Sequence, residues 1–210
     1  VKLLIANKNY SSWSLRAWLL MKQTGIAFEE EKISFNAPDF QARIARYSPA
    51  ARVPVLVDGD LAIWDTLAIA EYLAEKRPEL WPEGRAARAR ARSLCAEMHA
   101  GFGALRSRLP MNCELSLPLA LDDEVRRDVA RIIDIWSAAT GPFLFGAFSI
   151  ADAYFAPVAI RFKSYGVAMP DRARAWSDAM FALPALQAWI ADGLGEHDYV
   201  ADDEPYRAKP

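Results

Sequence analysis

Residues 2–20 read Lys-Leu-Leu-Ile-Ala-Asn-Lys-Asn-Tyr-Ser-Ser-Trp-Ser-Leu-Arg-Ala-Trp-Leu-Leu, and the change of pattern along them decides the fold. Lys2 to Asn7 is short and apolar and gives way to Asn9-Tyr10-Ser11-Ser12, which reads as a buried strand ending in a turn. Leu15, Trp18, Leu19 and Lys22 then recur at helical spacing and Gly25 supplies a stop, so the pattern predicts a helix over 12–24. Phe28 to Phe35 reads as a second strand. A strand, a helix and a strand at this spacing form a crossover unit, right-handed with the two strands parallel.

Working outward, Asp39 to Tyr47 reads as a helix ended by Ser48-Pro49. Val53-Pro54-Val55-Leu56-Val57, Asp58-Gly59-Asp60 and Leu61-Ala62-Ile63-Trp64 read as strand, tight turn and strand, with Asp-Gly as the hairpin signal. Asp65-Thr66 caps a helix carrying Leu67, Ile69, Ala70 and Leu73, which stops near Arg77-Pro78. The order of elements over 1–77 is that of a thioredoxin-like α/β domain. Residues 78–84, Pro-Glu-Leu-Trp-Pro-Glu-Gly, read as a linker. From 85 to 210 only helical periodicity follows, giving an all-α second domain. Ala91, Leu94, Met98, Phe102, Leu105 and Leu109 mark one face of a long helix, and Val125, Val129, Ile132 and Trp136 mark another. Ser149-Ile150-Ala151-Asp152 has capping-box spacing, Pro157 is expected to kink the helix that follows, and shorter helices are expected over 172–181 and 185–191.

Composition narrows the function classes. With 25 basic and 27 acidic residues the formal charge is −2, which gives no footprint for nucleic acid. No apolar run approaches the ~18 residues of a membrane span, and Val1 to Ile5 is too short for a signal peptide. Two cysteines, Cys95 and Cys113, make no disulfide framework, and two lone histidines make no zinc site. The expectation is a reduced, cytoplasmic protein.

Three places carry chemistry. Ser11-Ser12-Trp13-Ser14-Leu15-Arg16 lies where a strand meets a helix N-terminus, and free N–H groups there favour an anion. A serine hydroxyl in that field can donate to a thiolate, or it can simply cap the helix. At Arg52-Val53-Pro54 the proline marks either an edge strand, the commoner case, or a cis peptide that exposes the Val53 backbone to a bound peptide. At Asp65-Thr66 a helix start offers N–H groups and a hydroxyl to a carboxylate, and the Asp65 carboxylate to an ammonium; an ordinary cap is again the simpler role. Gly101-Phe102-Gly103 lacks both the preceding strand and the third glycine of a nucleotide loop. The arginines at 85, 88, 90 and 92 read as a solvated helix face. Met98, Phe102 and Leu105 read as core, while His99 and Asn112 are candidates for the wall of a substrate cleft.

In order and spacing these features resemble the cytosolic glutathione transferase family over nearly the full chain. Ser11 to Arg16 resembles the Ser-Ser-Cys-Ser-Trp-Arg stretch of zeta-class members, the maleylacetoacetate isomerase group. Asn7 to Leu20 is similar to bacterial members with Asn-Lys-Asn-Tyr-Ser-Ser-Trp-Ser-Leu-Arg. Val53-Pro54 matches the family's cis-proline position, Asp65-Thr66 its Glu/Gln-Ser pair, and Ser149 to Asp152 its helical capping box. The resemblance implies glutathione as co-substrate, with Ser11 as the donor to its thiol; counting back four residues from Arg16 selects Ser12 instead. Trp13 stands where the zeta pattern has Cys, so a thiol-dependent subclass is not expected. Trp13, Arg52, Val53, Pro54, Asp65 and Thr66 would line the glutathione site. The implied activity is conjugation of the thiolate to a hydrophobic electrophile in a homodimer. A glutathione-dependent isomerase and a non-catalytic binding protein are the alternatives.

Overall fold

The computed structural model describes residues 1–207. The last three residues of the expected helical domain, 208–210, lie outside them. The first half is built on β1 (Lys2–Ile5), whose side chains alternate between two buried faces. Leu3 and Ile5 pack against Leu15, Trp18 and Leu19 of α1 (Ser12–Gln23) and Ile69 and Leu73 of α3 (Thr66–Lys76). Leu4 and Ala6 pack on the other side against Phe40 and Ile44 of α2 (Phe40–Ala45). Each face has its own helices because strand residues point to opposite sides in turn.

β1 pairs in parallel with β2 (Glu29–Lys32), as the crossover pattern requires, and antiparallel with β3 (Val55–Asp58), which pairs with β4 (Leu61–Trp64). The sheet order is β2-β1-β3-β4. Three strands, β1, β2 and β3, are shorter than the sequence reading. β1 stops at Ile5 because the Asn7 carbonyl turns away to accept the N–H groups of Tyr10 (3.2 Å) and Ser11 (2.8 Å). The edge-strand reading of Pro54 is overturned: Pro54 precedes β3, an inner strand, and the Val53-Pro54 peptide is cis.

The second half is helical: α4 (Arg85–Ala100), α5 (Gly103–Arg108), α6 (Asp123–Ser137), α7 (Ile150–Ser164), α8 (Asp171–Phe181) and α9 (Pro184–Leu194). The single long helix expected through Leu109 is instead two. Gly101 ends α4 by lying against the Glu97 carbonyl, where a Cβ would stand 2.8 Å from that oxygen. Phe102 turns through φ +58° and still buries its ring. The apolar face therefore continues across a break that its periodicity conceals. No helix of the described residues is long and apolar enough to cross a membrane.

α7 is the hub of the second half; it is buried along nearly all its length and runs on through Pro157. Its first turn is fixed by Asp152, which is fully buried. This carboxylate accepts the N–H groups of Leu144 (2.9 Å) and Ser149 (3.0 Å), the Ser149 hydroxyl (3.1 Å) and the Trp176 indole N–H (2.9 Å). Burial pushes its carboxyl above the ordinary range, while the four donors favour the charged form.

The two halves meet along α1, which packs on α7 and α9. Gly193 lets α9 lie directly on the Lys8–Asn9 backbone, since a Cβ there would stand 3.1 Å from the Asn9 nitrogen. The Lys8 ammonium is nearly buried between Glu30 (2.8 Å) and Asp192 (2.7 Å), with the rings of Trp18 and Trp189 at 4.8 and 5.5 Å. The Asn9 side-chain carbonyl accepts the Cys113 N–H at 2.7 Å. Asp152→Ala is expected to cost about 3–5 kcal/mol, because it strands buried donors from three elements. Urea unfolding measures it; a loss below about 1 kcal/mol would show that water replaces the carboxylate.

Candidate functional site

A cleft of about 1250 Å³ opens between the halves. Ser11, Ser12, Trp13, Arg52, Val53, Pro54, Asp65 and Thr66 all line it, brought together by the start of α1, the loop before β3 and the start of α3. Across from them stand His99, Arg106, Met111 and Arg161 of the helical half, and Val200 to Asp203 of the C-terminal segment.

The neighbouring serines have different surroundings. Ser11 is the N-cap of α1 and is buried; its hydroxyl donates to the Ser14 hydroxyl oxygen at 2.7 Å, and that oxygen also accepts the Ala6 N–H at 3.2 Å. Ser12 is half-buried in the first turn, and its hydroxyl has no protein partner among the described residues. Among the described residues the Trp13 backbone N–H also has no protein partner, as is usual for a first-turn donor.

Beneath this turn Arg16 is buried, with its guanidinium 4.3 Å from the Trp13 ring and 4.8 Å from the Tyr154 ring. Among the described residues its Nε and one terminal nitrogen meet no acceptor, and burial pulls its pKa down to about 10. Cation–π contact with two rings supplies part of the missing solvation. Arg106 approaches Trp13 as well, at 5.6 Å.

Asp65 caps α3 by accepting the Leu67 N–H at 2.8 Å and sits at φ +74°, a region that side chains other than glycine's rarely adopt. Its second oxygen lies 3.3 Å from Nε2 of His99, a contact across the two halves. Thr66 is buried, and its hydroxyl is hydrogen-bonded to the Tyr154 hydroxyl of α7 at 2.8 Å. Arg52 lies exposed at the cleft edge. His99 lines the cleft as expected, but Asn112 does not. Its side chain is buried and caps a turn, accepting the N–H groups of Glu114 (2.9 Å) and Leu115 (3.0 Å).

Sequence reasoning missed Tyr10, Arg106, Arg161 and Val200 to Asp203 as cleft residues. Tyr10 directly precedes the Ser11-Ser12 pair and could have been read with it; the others belong to no local motif, and tertiary packing brings them to the site. Arg161 in particular is buried inside α7, where it donates to the Leu109 carbonyl and burial pulls its pKa down to about 10.

Known proteins place this architecture. The family model for the glutathione S-transferase N-terminal domain matches residues 10–76, and that for the C-terminal domain matches residues 85–192. The chain belongs to the glutathione S-transferase family. It is similar to a stringent starvation protein A homolog of Haemophilus ducreyi, 28% identical over 78% of this chain and 76% of that one. In fold it resembles a glutathione transferase homolog of Burkholderia GL BGR1, solved with bound glutathione. That match has a TM-score of 0.72 and 22% identity, over 92% of this chain and 98% of that one. It also resembles a bacterial zeta-class maleyl pyruvate isomerase, with a TM-score of 0.71 and 20% identity over 95% of this chain and 100% of that one.

The Thr66–Tyr154 bridge gives a direct test of how the site is tied to the helical core. Thr66→Val should cost about 1–3 kcal/mol by leaving the buried Tyr154 hydroxyl unpaired. The double variant with Tyr154→Phe should cost clearly less than the sum of the two single changes. Strict additivity in urea unfolding would mean that the hydroxyls do not interact.

Proposed function

We propose that this chain is a glutathione transferase that binds glutathione along the first-half wall of the cleft, with the thiol at the N-terminus of α1. The observation that carries the reading is the pairing of an uncommitted Ser12 hydroxyl and a free Trp13 N–H with the cis Val53-Pro54 peptide and the Asp65-Thr66 helix start, all facing one cleft. The tripeptide's own groups suit that wall. The Val53 backbone can pair with the cysteinyl backbone, the Thr66 N–H can receive the γ-glutamyl carboxylate, and Asp65 can receive the ammonium. Arg52 stands at the rim, where the glycine carboxylate would emerge.

A free thiol near pKa ~8.5 is only a few per cent thiolate at neutral pH. Lowering that value by about two units takes roughly 2.7 kcal/mol of preferential thiolate stabilisation. A serine hydrogen bond within a helix N-terminal field is of that order. Ser12 is the better donor, because the Ser11 proton is already given to Ser14 at 2.7 Å. The serine acts as a hydrogen-bond donor, and the glutathione sulfur is the nucleophile that attacks the electrophile in the helical half of the cleft.

Arg106 and Arg161 on the far wall favour a second reading, an electrophile that carries a carboxylate. A glutathione-dependent isomerase of the maleylacetoacetate type acts on such a molecule by reversible thiolate addition. Two copies are proposed to pair as a homodimer in a reduced, cytoplasmic setting. Sedimentation of a 23.4 kDa species at micromolar concentration would remove the pairing.

Ultraviolet difference spectra of the glutathione complex, titrated from acid to alkaline pH, report the thiolate. In the parent the transition should fall well below ~8.5. Stabilising the anion lowers the thiol pKa, so Ser12→Ala should move the transition up, whereas Ser11→Ala should mainly loosen the helix cap by about 1 kcal/mol. The reverse pattern would return the thiol contact to Ser11. A parent with no lowered transition would make the chain a glutathione-binding module rather than a transferase. Asp65→Ala should raise KM for glutathione roughly ten-fold with kcat little changed, since it removes a charge-assisted bond far from the sulfur. A normal KM with a collapsed kcat would show that Asp65 serves the chemistry instead.

A further inference from the structure

His99 stands in the last turn of α4, lines the cleft and reaches the first half. Its imidazole meets the Trp13 ring edge-on, with centroids 5.1 Å apart, and its Nε2 lies 3.3 Å from the second oxygen of Asp65. α4 is thereby joined to the starts of α1 and α3, the two helix ends that the glutathione reading gives to the thiol and to the γ-glutamyl group. A carboxylate only accepts, so the proton of a neutral His99 belongs on Nε2. That leaves Nδ1, which is buried and has no partner among the described residues.

The two forms of the ring serve Asp65 differently. Neutral, it donates one N–H and holds the carboxylate, whose other oxygen caps α3 at the Leu67 N–H, while the negative charge stays available. Protonated, it neutralises that charge and gains a second N–H, at Nδ1, with no acceptor among the described residues. A position at a helix C-terminus favours the cation. Arg106 of α5, which donates to the His99 carbonyl at 3.2 Å, and Arg16 of α1, which lies against the Trp13 ring, oppose it. The Tyr154 hydroxyl of α7 and the Cys95 thiol of α4 stay neutral, since burial raises the pKa of each. Among the described residues Asp65 is thus the carboxylate that sustains a proton on His99, and a cation that takes up the Asp65 charge works to expel it.

We propose that His99 is a positioning residue for the amino end of the ligand: as a neutral donor it holds Asp65 ready for the ammonium of a γ-glutamyl group, and as a cation it competes with that ammonium for the same carboxylate. This role rests on the glutathione reading and adds a linkage to it, in which the bound ammonium displaces a proton from the imidazole to solvent. Affinity therefore rises with pH across the range in which a histidine changes charge. Asp203 also lines the cleft, and burial raises its carboxyl pKa, but its effect has the opposite sign. Its ionisation adds negative charge to a cleft that receives an anionic peptide.

The test uses S-methylglutathione, which has no thiol to titrate and keeps its ammonium and carboxylate charges between about pH 5 and 7. Calorimetric titration of the full chain gives the affinity, and buffers of different ionisation enthalpy count the protons exchanged. The parent should bind about five-fold more tightly at the upper pH than at the lower and release roughly half a proton per ligand midway between them. His99→Gln keeps a donor for Asp65 but cannot titrate, so it should give a flat profile and no proton release. His99→Leu should be equally flat and weaker than His99→Gln throughout. The analogue whose γ-glutamyl amine is replaced by hydrogen should show no rise with pH in the parent. A parent with no rise, a rise that persists in His99→Gln or with the deaminated analogue, or equal affinity of the two variants overturns the inference and leaves the glutathione reading standing. A parent that binds neither ligand at any pH overturns both. Should His99→Gln fail to fold, Asp65→Asn removes the shared charge while keeping the cap oxygen and must flatten the profile in the same way; a rise that survives it overturns the inference.

Discussion

The Lys8 ammonium sits in the seam between the two halves, with a carboxylate from each: Glu30 of the sheet edge and Asp192 of α9. A cation so nearly buried is tolerable only when paired, and here the pair spans two layers that are otherwise separate. The Trp18 and Trp189 rings enclose it, and their edge-on packing at 5.2 Å closes the seam around the charge. α9 comes close enough because Gly193 presents no side chain to Asn9. The cleft needs this arrangement. Its Ser11–Ser12 turn belongs to the first half and Arg106 and Arg161 to the second, so the distance between them is set by how the seam closes.

Charges in and near the cleft are held in two different ways. Arg16 and Arg161 are buried in the interior, and burial weakens their hold on the proton. Asp198 is stabilised as an anion by three side-chain donors on a far more accessible surface. Arg16 and Arg161 are thus scarcely hydrated, while Asp198 owes its charge to hydrogen bonds near the surface.

Much of the fold was legible before any coordinates. Lys2 to Trp64 shows strand and helix periods clearly, the Asp58-Gly59 turn marks the hairpin, and Asp65 and Ser149 announce the helices they cap. What stayed hidden depended on tertiary contact. Gly101 breaks a helix whose apolar face continues unbroken, so periodicity alone cannot see the break. The cis state of Val53-Pro54 cannot be told from an edge-strand proline by spacing, since both place proline next to a strand run. Asn112 looked like a cleft residue by position, yet its side chain turns inward to serve two backbone N–H groups. The choice between Ser11 and Ser12 rests on a single hydrogen bond to Ser14, which no motif encodes.

The conformation of Asp65 has a further consequence for how this chain can change over generations. A non-glycine residue at φ +74° stores of order 1–3 kcal/mol of strain, and glycine would relieve it. The carboxylate that glycine lacks is the one that caps α3 and faces His99. Selection for an unstrained backbone and selection for the Asp65 carboxylate therefore pull this codon in opposite directions. A lineage with no need of that carboxylate would be free to let the position drift, and the residue found here in descendants would serve as a marker of which pressure prevailed.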